Sequence, residues 1–289
     1  MKIRLVAGFL TLTVAMGQGT GDDRRDAVLD GVGRYIREYE RTFSAVVCRE
    51  FYVQRLQAAA ELQTRLLRSE VALIALGDAE WILFRDVYEV DGRAVHDRQD
   101  RLTALFLKPT ADLALQAKRI LDEGTRYNIG PITRTLNTPT QALAFLRPEN
   151  QARSRFRLGS RTTVDGVETV ELQFDEIAMP RMIGTRDNAP ASGRFWIVPS
   201  TGAVVRSELR IASVGATAVV SVRYGQQAKF LLFVPILMTE SYELEAATTG
   251  SAVEGFPGLR SSSKGRIEGQ ASYSDCRQFS VDTATIFRR

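Results

Sequence analysis

A chain of 289 residues with 44% hydrophobic content is long enough for one large domain or two small ones, and it carries enough apolar material for a sizeable core. Its formal net charge of +4, from 38 basic and 34 acidic residues, does not suggest a nucleic-acid binder, which needs a concentrated basic face. Only five of the basic residues are lysine, a bias read as genome composition rather than function.

The N-terminus reads as a targeting segment. Lys2 and Arg4 form a positive start, Leu5 to Val14 is apolar, and Ala15-Met16-Gly17 offers small residues for cleavage. Ten apolar residues fall short of the ~20 that span a bilayer, and no Cys follows to carry a lipid. Residues 1–17 are therefore expected to be a signal peptide and the product periplasmic or secreted; an uncleaved anchor is the alternative. Removal of Lys2 and Arg4 leaves the charges nearly balanced, 36 against 34. Export puts Cys48 and Cys276, the only two cysteines, in an oxidising compartment that favours their pairing. Two unpaired buried thiols are the alternative.

Asp22 to Thr42 reads as a helix, with Val28, Val32, Tyr35, Ile36, Tyr39 and Phe43 on one stripe and acids at its start. Gly31 and Gly33 weaken it locally. From Ser44 the period changes to two. Strands are expected at Ser44 to Gln57, Leu62 to Leu76 and Glu80 to Val90, with an Asp91-Gly92 hairpin turn. Leu102, Leu105 and Phe106 suggest a short helix. Pro109-Thr110 opens a clearer one carrying Leu113, Ala117, Ile120 and Leu121, with Gly124 as its stop. Thr138-Pro139-Thr140-Gln141 begins a third, carrying Leu143 and Leu146 and ending before Pro148.

After Gln151 only strands are expected: Arg153 to Thr163, Val167 to Glu176, Arg194 to Val198, Ala203 to Ser213, Ala216 to Gln226, Phe233 to Leu244 and Ser263 to Val281. Met179 to Ala191 and Ala246 to Leu259 read as loops. Arg153, Arg155 and Arg157 share a face, as do Glu171, Gln173 and Asp175. A three-residue turn with Gly166 as a bulge would set the two rows opposite each other as a charge-paired face. Without a repeat or linker, residues 18–289 read as one domain, an antiparallel sheet with a helical insertion at about 100–148.

Three stretches carry a resemblance: Trp196-Ile197-Val198-Pro199-Ser200-Thr201-Gly202 continuing to Arg206-Ser207-Glu208; Leu232-Phe233-Val234-Pro235 followed by Met238-Thr239-Glu240-Ser241-Tyr242; and Ile267 to Phe279. Together they resemble the LolA/LppX/RseB-type superfamily of periplasmic lipoprotein-binding and lipid-binding proteins. The resemblance covers roughly the last hundred residues; earlier the order of elements agrees. It implies an α+β fold, a strongly curved antiparallel sheet forming an incomplete β-barrel, with helices on the concave side. It also implies an apolar cavity that accepts acyl chains, or a sensor role. The long Tyr127 to Thr138 and Ala246 to Leu259 segments depart from that pattern.

Reactive chemistry is scarce. His96 is the only histidine and sits in a charged turn, the ordinary place for a surface residue. One His and two distant Cys cannot supply a usual zinc site, and Gly31-Val32-Gly33 lacks the rest of a phosphate loop. Asp86, Glu89 and Asp91 read as a solvated strand face. The expectation is a non-enzymatic exported module for a hydrophobic ligand: an acyl chain, a lipid or a lipidated protein. It needs no cofactor, metal or nucleic acid and is compatible with peripheral membrane contact; the oligomeric state stays open. Leu113, Ile120, Leu121, Leu143, Phe145 and Leu146, with Trp196 from the hairpin, are the expected lining of the cavity. The alternative is an interaction protein of the envelope with a filled core.

Overall fold

The computed structural model describes residues 21–44, 46–58, 61–76, 80–107, 110, 112, 113–130, 134, 136–227, 229–230, 232–245 and 265–278. The expected signal peptide and the Ala246 to Leu259 loop lie outside them. Two antiparallel meanders make up the sheet. The first is β1 (Val46–Ala58), β2 (Glu61–Leu76), β3 (Glu80–Val90) and the two-residue β4 (Arg93–Ala94). The second is β5 (Ser154–Val164), β6 (Val167–Glu176), β7 (Ala191–Ile197), β8 (Val204–Ser213), β9 (Ala216–Gln227), β10 (Leu232–Leu244) and β11 (Gly265–Gln278).

These join because β11 returns beside β1. The resulting order is β4-β3-β2-β1-β11-β10-β9-β8-β7-β6-β5, one sheet of 11 strands not closed into a barrel. Both Asp91-Gly92 and Asp165-Gly166 turn with positive φ at each residue, the geometry that suits the twist of two-residue hairpins. The Cys48–Cys276 disulfide crosses the β1–β11 seam, where a register shift after Val47 accommodates the pair.

The charge-paired face forms as expected but by a different device. The Asp165-Gly166 turn has two residues, with Val164 opposite Val167, and the correction comes later as a bulge between Leu158 and Arg161. Arg155 then stands opposite Asp175 and Arg157 opposite Gln173, and Arg157 Nη1 reaches Asp175 Oδ2 at 2.8 Å.

Helix α1 (Gly21–Phe43) lies in the trough of the sheet. Val32, Ile36, Tyr39 and Phe43 are fully buried on one stripe, in a cluster that takes in Leu73 and Val71 at one end of the sheet and Phe156 at the other. A single cluster reaching from β2 to β5 around one helix makes this face concave. The remaining helical turns follow β4: α2 (Arg98–Leu102), a π-helical turn at Thr103–Leu107, α3 (Leu113–Thr125), a 3-10 turn at Gln141–Leu146 and α4 (Pro148–Gln151).

Several local expectations change. Helix α3 starts at Leu113, not Pro109, because the Asp112 carboxylate accepts the Leu115 N–H at 3.1 Å. Gly124 lies inside α3 rather than after it, against the backbone of Arg85. The third helix is a 3-10 turn. Its cap position is Thr140, while Thr138 accepts the Gln141 N–H through its carbonyl.

Gly31, expected only to weaken α1, is a contact point. The Pro199 to Gly202 turn between β7 and β8 closes with Gly202 at φ 75°, and a Cβ there would fall 2.3 Å from the Gly31 carbonyl oxygen. Gly202→Ala therefore combines a left-handed backbone with a clash into the helix. It is expected to cost about 3 kcal/mol of unfolding free energy in urea denaturation. A loss under about 0.5 kcal/mol would contradict the close contact of α1 with this turn.

Candidate functional site

The seven residues expected to line a cavity do not meet in one place. Leu143, Phe145 and Leu146 are buried in the concave core, where the Phe145 ring lies 4.7 Å from that of Phe174, which stacks in turn on Phe195 at 5.2 Å. Pro139 anchors their turn by accepting the Tyr224 hydroxyl at 2.7 Å. Ile120 and Leu121 belong to a separate cluster with Ile74, Ile82, Phe84 and Leu105. Strand side chains alternate between faces. Since Leu73 and Leu83 join the concave core, Ile74, Ile82 and Phe84 face the other way, and α2 and α3 cover the outer side of β2 and β3. The Leu113 side chain lies outside the described residues.

Trp196 also points outward. Its neighbour Phe195 fills the core, while the indole is held between the guanidinium groups of Arg194 and Arg206, at 5.3 and 4.6 Å. None of the seven residues lines either of two open depressions found among the described residues. One, of about 280 Å³, crosses the outer face of β1, β11, β10 and β9 between Arg55, Ser221, Ser241 and Gln270. The other, of about 690 Å³, holds His96 beside Asp97, Arg93 and Tyr127, with no Ser or Cys in its lining. Among the described residues no group of three His, Cys, Asp or Glu could hold a metal ion, and no helix is long and apolar enough to cross a membrane.

The feature that sequence reasoning missed lies at the β1–β11–β10 end of the concave face. There the interior positions are polar. On β1, Glu50, Tyr52 and Gln54 follow Cys48 on the inner face and are buried. Arg85 on β3 and Glu240 on β10 join them. Arg85 grips Glu50 with two parallel hydrogen bonds, Nε to Oε2 at 2.6 Å and Nη2 to Oε1 at 2.9 Å. The Ser69 hydroxyl adds a third donor to Glu50 at 2.6 Å. Desolvation pulls the Arg85 guanidinium down, and the charge and hydrogen bonds of Glu50 more than offset it, so its pKa lies above the ordinary value.

A second pair lies alongside. Arg134, from the irregular stretch after α3, has Nη1 3.2 Å from Glu240 Oε1. The hydroxyls of Tyr52 and Tyr242 donate to the two oxygens of Glu240, the latter at 3.0 Å. Burial first, then the Glu240 charge, hold both phenols well above their ordinary pKa, so they act as neutral donors. Asn137 ties the pairs together: its carbonyl accepts from Arg85 at 2.7 Å, and its amide donates to the Tyr52 oxygen at 3.2 Å. The concave face is thus apolar under α1 and charged where Arg134 and Asn137 meet it. The signal in the sequence was an ionisable residue at an inward position between apolar neighbours: Arg85 between Leu83 and Val87, Glu240 between Met238 and Tyr242.

The sequence matches no protein-family model and no curated protein. Among solved structures, the chain is similar to a protein domain from Vibrio parahaemolyticus described as outer membrane lipoprotein-sorting. That match has 10% identity and a TM-score of 0.42 and covers 91% of this chain and 97% of that one. It is also similar to a DUF1329 family protein from Desulfovibrio piger, at 10% identity and a TM-score of 0.40, covering 92% and 97%. A LolA superfamily protein from Nitrosomonas europaea matches at 12% identity and a TM-score of 0.32, covering 89% and 97%.

The buried Arg85–Glu50 pair gives a direct test. Removing one partner strands the other charge, so Arg85→Met alone is expected to cost about 3–5 kcal/mol in urea denaturation. Adding Glu50→Leu to that variant should recover part of the loss. Costs that simply add would show that the two groups are not coupled.

Proposed function

We propose that residues 18–289 form one exported, non-enzymatic binding module of the cell envelope, and that its concave face takes a hydrophobic ligand. The observation that carries this reading is the apolar stripe of α1. Val32, Ile36, Tyr39 and Phe43 fill the trough, and an acyl chain would occupy the space that they and the 3-10 turn now hold. The polar ties of α1 to its surroundings are few and side-chain based. They include Tyr35 accepting the Phe233 N–H at 3.3 Å, Arg147 on Glu40 at 2.6 Å, and the Gln151 amide on the Leu29 carbonyl at 3.0 Å. Exchanging helix stripe for ligand conserves buried apolar area, so uptake trades like for like rather than opening a wet space. Uptake and release proceed by movement of α1 or the 3-10 turn. The resemblance read from roughly the last hundred residues supports the same class of ligand, an acyl chain or lipidated protein.

A second reading, an interaction protein with a permanently filled core, is favoured by the full burial of Phe145 and Leu146 against their own chain. One experiment separates the two. Protein isolated from the envelope fraction is delipidated and analysed by mass spectrometry, and fluorescent fatty acids of increasing length are titrated into it. The first reading expects co-purified lipid above a control protein, and affinity rising about tenfold for each two added methylenes, at ~0.8 kcal/mol per CH₂. No lipid above control and no length-dependent binding would leave the filled-core reading.

A further inference from the structure

The surroundings of Arg134 have the chemistry of a receptor rather than of a core. The side chain is 1% exposed, and each wall around its guanidinium is a group suited to a planar cation. Glu240 supplies a carboxylate, oriented by the hydroxyls of Tyr52 and Tyr242. Gln54 supplies an amide oxygen that accepts from Arg134 Nη2 and, at 2.9 Å, from the Ile129 N–H. The Tyr242 ring presents its face 5.6 Å from the guanidinium carbon. Gly269 completes the cradle: a Cβ there would fall 2.5 Å from Glu240 Oε1 and 2.8 Å from the Tyr52 ring.

Host and guest are built differently. Gln54, Gly269 and Glu240 are cross-strand neighbours on β1, β11 and β10, so the sheet fixes their spacing. Arg134 comes from irregular chain between α3 and the 3-10 turn. The fit is also incomplete. Among the described residues, Arg134 Nε, Arg134 Nη1 and Gln54 Nε2 have no hydrogen-bond partner although all three are buried, so Nη1 meets Glu240 as an ion pair only, a costly arrangement for a contact that serves stability alone. An ammonium group would fit worse, since a point charge cannot reach Gln54 and Glu240 with the fixed fork of a guanidinium.

We propose that this cradle is a binding site for a guanidinium group, occupied here in cis by Arg134, and that an arginine side chain of a partner polypeptide competes with Arg134 for it. The site lies at the polar end of the concave face and does not rest on the hydrophobic-ligand reading. Binding there displaces Arg134 and releases the Ile129 N–H from Gln54.

Two measurements test it. In Arg134→Ala, millimolar methylguanidinium should raise the thermal midpoint saturably, methylammonium at equal ionic strength should not, and adding Glu240→Gln should abolish the rise. In the unaltered protein, nona-arginine should speed hydrogen exchange at the Ile129 amide at least threefold over nona-lysine. The second measurement stands even where the variants fail to fold. Equal effects of the two cations, a rise that survives Glu240→Gln, or identical exchange with both peptides would each overturn the proposal.

Discussion

The pairing of β1 with β11 is the contact on which the rest of the molecule depends. Each meander is local: every other neighbouring pair in the sheet is consecutive in the chain. Only the seam between Val46–Ala58 and Gly265–Gln278 brings distant segments together, and the Cys48–Cys276 bridge locks it. Such a cross-link closes a loop of more than 200 residues and restricts the unfolded chain by an amount on the order of 5 kcal/mol in the entropy model. The seam also dictates where the helices go. With β1 and β11 in the middle, β4 and β5 become opposite margins of an open sheet, and the chain between them must cross from one to the other. Helix α3, the 3-10 turn and α4 are that crossing.

The crossing divides the concave face into two environments with different energetics. Under α1 and the 3-10 turn, stabilisation comes from area removed from water, about 25 cal/mol per Å² of apolar surface, and tolerates any shape-compatible apolar filling. At the other end lie the buried ion pairs Arg85–Glu50 and Arg134–Glu240. Their mutual attraction roughly cancels the cost of desolvation, so they add little net stability while strongly disfavouring any partly formed arrangement. The polar end therefore fixes where the irregular stretch sits; the apolar end holds the fold together.

Much of the architecture was legible because strand periodicity is short-ranged. Val167 to Glu176 and Glu80 to Val90 match their strands residue for residue, and the α1 stripe predicts its buried face. What resisted was anything set by three dimensions. Leu113, Ile120 and Leu121 share a stripe that looks like the one carrying Leu143 and Leu146, yet the crossing chain places Ile120 and Leu121 on the outer side of the sheet and Leu143 and Leu146 on the inner. The Arg row came to lie opposite the acidic row, with Arg157 paired to Asp175, though the compensating bulge arose at Gly159-Ser160 rather than in the turn, since Asp165 adopts positive φ unaided. Glu50, Gln54, Arg85 and Glu240 drew no notice in the sequence, because a polar residue on a strand normally faces water. Only the register across β3, β2, β1, β11 and β10 reveals that they point inward at one another.

The open margins have a consequence of their own. An unpaired strand is a template on which another polypeptide can lay down a further strand, and the two margins here differ as templates. At one, β4 has two residues, Arg93 and Ala94, which pair only with Val90 and Glu89, so among the described residues the rest of β3 remains an edge. At the other, β5 is broken by its bulge and studded with Arg155, Arg157 and Arg161. Continuation of the sheet into a second molecule is thus disfavoured at the β5 margin. There, recognition of a protein partner is left to side chains, and so to chemistry that can be selective for particular residues rather than for any extended chain.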